Sequence, residues 1–74
     1  MTGPDRLVDA RGMHCPWPVL RLARAVRETV APARICVLAD DPAAPGELAQ
    51  LCSENGWSFA RDGQDPHRFR VVIR

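Results

Sequence analysis

The fold this sequence predicts is an α/β two-layer sandwich in β-α-β-α-β-β order, a mixed four-stranded sheet with two helices packed on one face. Three observations point to it. A helical stripe follows the first apolar segment, a nearly continuous apolar run separates two helical patterns, and two short strand-like segments flank a turn near the end. The chain of 74 residues is expected to form one domain, 1–74. A domain of this size buries only about 60% of the surface its unfolded chain exposes, which favours chemistry presented at the surface to a larger partner.

The first strand is expected over residues 6–10, where Leu7 and Val8 are apolar and Asp9 ends the segment near Gly12. From 18 to about 28, Val19, Leu22, Ala23 and Val26 fall at helical spacing and predict one buried stripe, with Arg21, Arg24 and Glu28 on the other side. Pro32 stops that helix. Residues 33–39 hold Ile35, Cys36, Val37 and Leu38, the apolar run of a strand covered on at least one face. Pro45 and Gly46 then precede a helix over 47–54, where Leu48, Leu51 and Cys52 share a face and Asn55-Gly56 marks the end. Strands over 57–60 and 69–73 flank the turn-rich Asp62-Gly63-Gln64-Asp65-Pro66. The two β-α-β units are expected to be parallel with right-handed crossovers, and the last pair an antiparallel hairpin.

All ten basic residues are Arg, and nine acidic residues leave a net charge of +1, which is not the balance of a nucleic-acid binder. Arg21, Arg24 and Arg27 still cluster on one segment, either as a local basic surface or as an ordinary solvated helix face. The beginning of the chain lacks the apolar run of a signal peptide and no stretch is long enough to span a bilayer, so a cytoplasmic chain without membrane contact is expected. Cys15, Cys36 and Cys52 form no C-x-x-C pair. Neither a metal site nor a disulfide framework is indicated, and reduced thiols are expected.

Chemistry concentrates in Gly12-Met13-His14-Cys15-Pro16-Trp17-Pro18. This run places Cys15 at the mouth of the first helix, where the partial positive charge of the helix N-terminus favours a thiolate. Pro16 and Pro18 shape the turn at little cost, because a first-turn N–H would be unpaired anyway. Trp17 and Val19 are the nearest following residues with N–H groups, and one of them is expected to approach the sulfur. His14 is adjacent in sequence and His67 lies in a distant turn, so no general base is evident and a Cys-His hydrolase is poorly supported. Transfer of a persulfide sulfur needs only one exposed, activated thiol. The bland alternative is a buried free cysteine, the commonest setting for that residue type.

At these residues the chain resembles the TusA/SirA/YedF-like family of small sulfur-carrier proteins. The resemblance rests on Val8-Asp9-Ala10-Arg11-Gly12-Met13-His14-Cys15-Pro16-Trp17-Pro18-Val19, with its Cys-Pro-x-Pro motif, and on Ala39-Asp40-Asp41-Pro42-Ala43. It implies the same β-α-β-α-β-β order. It also implies that Cys15 accepts sulfur from a cysteine desulfurase or other sulfurtransferase and yields it to an acceptor protein, in relays that feed transfer-RNA thiolation, molybdenum-cofactor assembly or sulfur oxidation. Pyridoxal phosphate would then belong to the donor. No cofactor is expected here, and no turnover without partner proteins. His14, Trp17 and Gly46 depart from what is common in the family, which bears on the choice of partner.

Trp17 is either an exposed anchor for that partner or a residue packed against the sheet edge. Asp40 and Asp41 before Pro42 are read first as turn formers and helix caps, with a polar rim beside Cys15 as the alternative. Cys36 and Cys52 are expected in the core. A monomer is expected. The competing functions are a thiol-based redox-sensing or regulatory module and, less well supported, an RNA-binding sheet, since no stacking pair of aromatics falls on a predicted strand.

Overall fold

The computed structural model describes residues 5–74, with side chains from Arg6 onward. The stretch read for a signal peptide begins at residues 1–4, which lie outside the described residues. The elements are β1 (Asp5–Asp9), α1 (Trp17–Arg27), β2 (Ala33–Leu38), α2 (Ala44–Asn55), β3 (Ser58–Arg61) and β4 (Arg68–Ile73), in the expected order.

The strands form one mixed sheet in the order β1-β2-β4-β3. β1 and β2 pair in parallel, and β4 runs antiparallel to both of its neighbours. β2 and β3 therefore run the same way, but β4 lies between them. The burial pattern explains that position. Ile35 and Val37 of β2 and Phe69, Val71 and Ile73 of β4 are all buried, and the register sets Ile35 opposite Val71 and Val37 opposite Phe69. β3 offers little beyond half-buried Phe59, whose ring stacks on Phe69 with centroids 5.5 Å apart. A short, mostly exposed strand belongs at a sheet edge.

In α1 the buried residues are Pro18, Leu22 and Ala25, with Val19, Ala23 and Val26 half-buried beside them. The expected stripe thus keeps Leu22 at its centre and is widened on one side by Pro18 and Ala25. Pro18, read as a turn-shaping residue, also supplies apolar packing surface. Arg24 and Arg27 lie in the last turn, where cations complement the helix dipole.

α2 begins at Ala44, earlier than expected, because Pro45 is accommodated in the first turn rather than preceding it. Ala44, Leu48 and Cys52 form its buried stripe. It ends at Gly56, whose φ of 73° is the left-handed conformation that glycine adopts without strain, and Trp57 N–H bonds back to the Cys52 carbonyl at 2.9 Å.

The helices pack on each other, α1 also on β1 and α2 on β3. The opposite sheet face is open. Leu7 there is 62% exposed and Cys36, its register partner, is half-buried. Cys36 is therefore not a core residue, because alternation turns it away from Ile35 and Val37. Cys52 is fully buried, as expected.

Candidate functional site

Because β1 and β2 are parallel, the segments that follow them leave the same edge of the sheet. Ala10 N–H bonds to the Leu38 carbonyl at 2.7 Å, so the two segments start together. Gly12 N–H then donates to Asp40 Oδ1 at 2.9 Å and Cys15 N–H to Asp41 Oδ2 at 3.2 Å. Gly12 has a φ of +79°, which a residue with a Cβ adopts only under strain. One step earlier, Asp9 accepts from Arg11 N–H and from Arg11 Nε and Nη2, at 3.1, 2.9 and 2.8 Å. Those bonds hold the Asp9 carboxyl down at about 2.

These contacts correct the capping half of the first reading of Asp40 and Asp41, while the turn half holds at Asp41, whose carbonyl accepts from Ala44 N–H at 3.0 Å. Neither caps α2, whose N-cap is Ala43 with no side-chain cap bond. Their carboxylates brace the Cys15 segment instead. Asp41 also lies 3.9 Å from His14 Nδ1, on a His14 side chain that is almost fully exposed.

Cys15 is exposed, and Pro16, the N-cap residue of α1, follows it. Its Sγ–H donates to Glu47 Oε1, in the first turn of α2. That hydrogen bond is the main reason the thiol is pushed up to about 11, with partial desolvation and the negative charges of Glu47 and Asp41 adding to it. The expectation of a favoured thiolate is thus overturned in the free chain, because two carboxylates outweigh the helix N-terminus. Nor does the Trp17 N–H reach the sulfur: it bonds to the His14 carbonyl at 2.9 Å, and the partner of Sγ is the Glu47 carboxylate.

Glu47 is the site residue that sequence reasoning missed. A signal was there. Once Pro45 is read as a first-turn proline, Glu47 becomes a first-turn acid of α2 at the edge where Cys15 lies.

Trp17 is 59% exposed and Leu20, one turn on, 49% exposed, so Trp17 does not close the core. Arg21 is exposed, with Nη2 3.5 Å from the Asp9 carbonyl. Arg24 is also exposed and pairs with Glu28 at 3.2 Å, which in turn takes Arg6 at 2.7 Å. The structure therefore brings Gly12, His14, Cys15, Pro16, Asp40 and Asp41 together at one edge. Arg24 points along α1 toward its far end. His67 lines a recess with Asp40, Asp41 and Pro45, on the flank of the same edge.

The other two thiols differ from Cys15. Burial alone pushes Cys52 up to about 11, and Cys36 lies on the open sheet face. Among the described residues, no group of three or more His, Cys, Asp or Glu side chains is arranged to hold a metal, and no helix is long and apolar enough to cross a membrane.

Fold and site together define a small two-layer α/β domain that offers an exposed thiol on a braced loop ahead of a helix. The family profile described as sulfurtransferase TusA matches residues 6–74. The sulfur carrier protein TusA of Pseudomonas putida strain F1 is 32% identical over 71 residues, covering 96% of this chain and 89% of that protein. The proteins of the same name from strains KT2440 and GB-1 match with the same identity and coverage. The chain belongs to the TusA family of sulfur carriers.

Proposed function

We propose that the chain, acting as one domain, carries a persulfide sulfur on Cys15 between a donor and an acceptor protein. The observation that carries this reading is the placement of the Cys15 thiol: exposed, ahead of α1, on a loop fixed by Asp40 and Asp41. In the transfer, Cys15 sulfur bonds to the outer sulfur of a donor Cys–S–SH and the donor's own S–S bond breaks. Cys15 becomes Cys–S–SH, the donor is left as a thiol, and the proton lost by Cys15 ends on the donor's sulfur. No net oxidation occurs. Unloading repeats the exchange toward an acceptor thiol.

Gly12, Pro16 and Pro18 shape the turn. Trp17 is the contact that anchors the partner, with His14, Asp40 and Asp41 at the rim and Arg21 and Arg24 on the adjoining helix face. The donor is a cysteine desulfurase or other sulfurtransferase. The sulfur's outlet is transfer-RNA thiolation, molybdenum-cofactor assembly or sulfur oxidation. A reducing cytoplasm suits the three free thiols.

The competing redox sensor needs a thiolate at rest, because susceptibility to oxidation follows thiolate character. A thiol held up near 11 argues against it. A carrier tolerates that state, since its thiol is called on only in a complex.

The test is to incubate the reduced chain with a cysteine desulfurase and free cysteine and to measure intact mass. Wild type gains one sulfur atom and Cys15→Ser gains none. No gain on wild type with several competent donors would overturn the proposal.

A further inference from the structure

Three features of the site bear on how the thiol is released. The Cys15 Sγ–H points at a carboxylate from a different element, Glu47 at the start of α2. The backbone next to that sulfur is held by a second carboxylate, Asp41, through the Cys15 N–H. The titratable groups facing the sulfur are thus Glu47 and Asp41 from across the loop, with His14 beside it on its own segment. The charges that act on the sulfur are those of the two carboxylates, so the site is acidic around a neutral thiol.

We propose that Glu47 is a positioning residue for sulfur transfer, whose carboxylate holds the Cys15 S–H in the free chain and is drawn away by a cationic group of the sulfur donor on docking. The inference rests on the carrier reading. It adds the chemistry of the partner: a lysine or arginine side chain next to the donor's persulfide, matched to Glu47 and Asp41 on this chain. With Glu47 and Asp41 both engaged by that cation, the cation and the N-terminus of α1 together favour the thiolate. The Cys15 proton then follows the route given above and ends on the donor thiol. Until docking, the thiol is shielded from alkylating and oxidising agents. Its reactivity is tied to the presence of the right partner.

The test reads Cys15 alone. The free chain is alkylated with iodoacetamide across a range of pH, and modification is followed on the tryptic peptide of residues 12–21, whose only cysteine is Cys15. Wild type should react slowly at neutral pH. Glu47→Gln keeps the shape and removes the charge. Its rate at neutral pH should rise at least about tenfold, the change expected when the midpoint of the profile falls by one unit. Asp41→Asn should shift the profile in the same direction but less, because Glu47 makes the direct bond. A Glu47→Gln profile that coincides with wild type, or one that moves upward, would overturn the proposal.

Should Glu47→Gln fail to fold, the wild-type profile decides. A midpoint near that of a free thiol, about 8.5, would contradict the hold on the sulfur. A midpoint well above it would support it. None of these readouts uses sulfur transfer. A chain that shows the hold but gains no sulfur from any donor would therefore sink the carrier reading and leave the Glu47 contact standing.

Discussion

Cys15 and Cys52 carry thiols raised to about the same value, and for different reasons. Cys15 is exposed and is held by a hydrogen bond to a carboxylate on the neighbouring helix. Cys52 is sealed between α2 and the sheet, where burial alone disfavours the charge. The first kind of hold yields to a partner that moves one side chain. The second yields only when the fold opens. Two equally quiet thiols in the free chain thus differ in what can wake them, and only Cys15 is placed for group transfer between proteins.

The largest expected effect breaks this comparison outright. Cys15→Ser should lose all sulfur loading with its unfolding midpoint unchanged, whereas Cys52→Ser should keep loading and lose stability. The cost at Cys52 should be about 1–3 kcal/mol, because a hydroxyl replaces a buried thiol in an apolar setting. Denaturant titration checks both. Alkylation sharpens the contrast further: Cys52 should react in proportion to unfolding and speed up with urea, while the Cys15 rate should barely change below the unfolding transition.

A step down in size is the docking contact. Trp17→Ala should weaken binding to the sulfur donor about tenfold or more, in line with truncation of an aromatic anchor, and leave thermal stability nearly unchanged because the ring is largely exposed. Calorimetric titration and a melting curve separate the two. If stability fell and affinity did not, Trp17 would be a packing residue after all.

The smallest effect lies in acid. Arg11 holds the Asp9 carboxyl at about 2, below its ordinary 3.8. A depressed carboxyl contributes stability above its unfolded value, and that contribution is lost as pH falls through the folded one. Stability should therefore decline between roughly pH 4 and 2. Arg11→Ala should flatten that part of the profile, as read by unfolding midpoints across pH.

What the sequence shows of this molecule follows the range of each interaction. Strands and helices were legible because Ile35, Cys36, Val37 and Leu38 form an apolar run, because the turn-rich stretch 62–66 separates two strand-like segments, and because Leu22 and Leu48 sit in helical stripes. The order of strands in the sheet was less so, since nothing local says that β4 slips between β2 and β3. Cys36 was misplaced because a continuous apolar run hides which of its faces is covered. The start of α2 was missed because Pro45 and Gly46 read as breakers, although a proline fits a first helical turn.

At the site, the exposed cysteine and its prolines could be found from their spacing alone. The protonation of that cysteine could not. Glu47 stands 32 residues away and meets the sulfur only through the packing of α2 against the loop. Local rules place Asp41 in a turn, which its carbonyl makes with Ala44, but the carboxylates of Asp40 and Asp41 bond to Gly12 and Cys15 on another segment. Local rules placed the nucleophile, and tertiary contacts set its state.

Cys15, and neither of the other thiols, is expected both to take up a sulfur atom and to give it away. The direct measurement is to load the chain with a desulfurase and cysteine, separate it from the donor, and alkylate and digest one portion at once and another after exposure to an acceptor protein thiol. One extra sulfur should appear on the peptide of residues 12–21 and be gone after the acceptor is added, with the peptide of residues 35–61 that holds Cys36 and Cys52 unchanged throughout. Sulfur found on the second peptide instead, or retained on Cys15 in the presence of every acceptor thiol offered, would contradict that expectation.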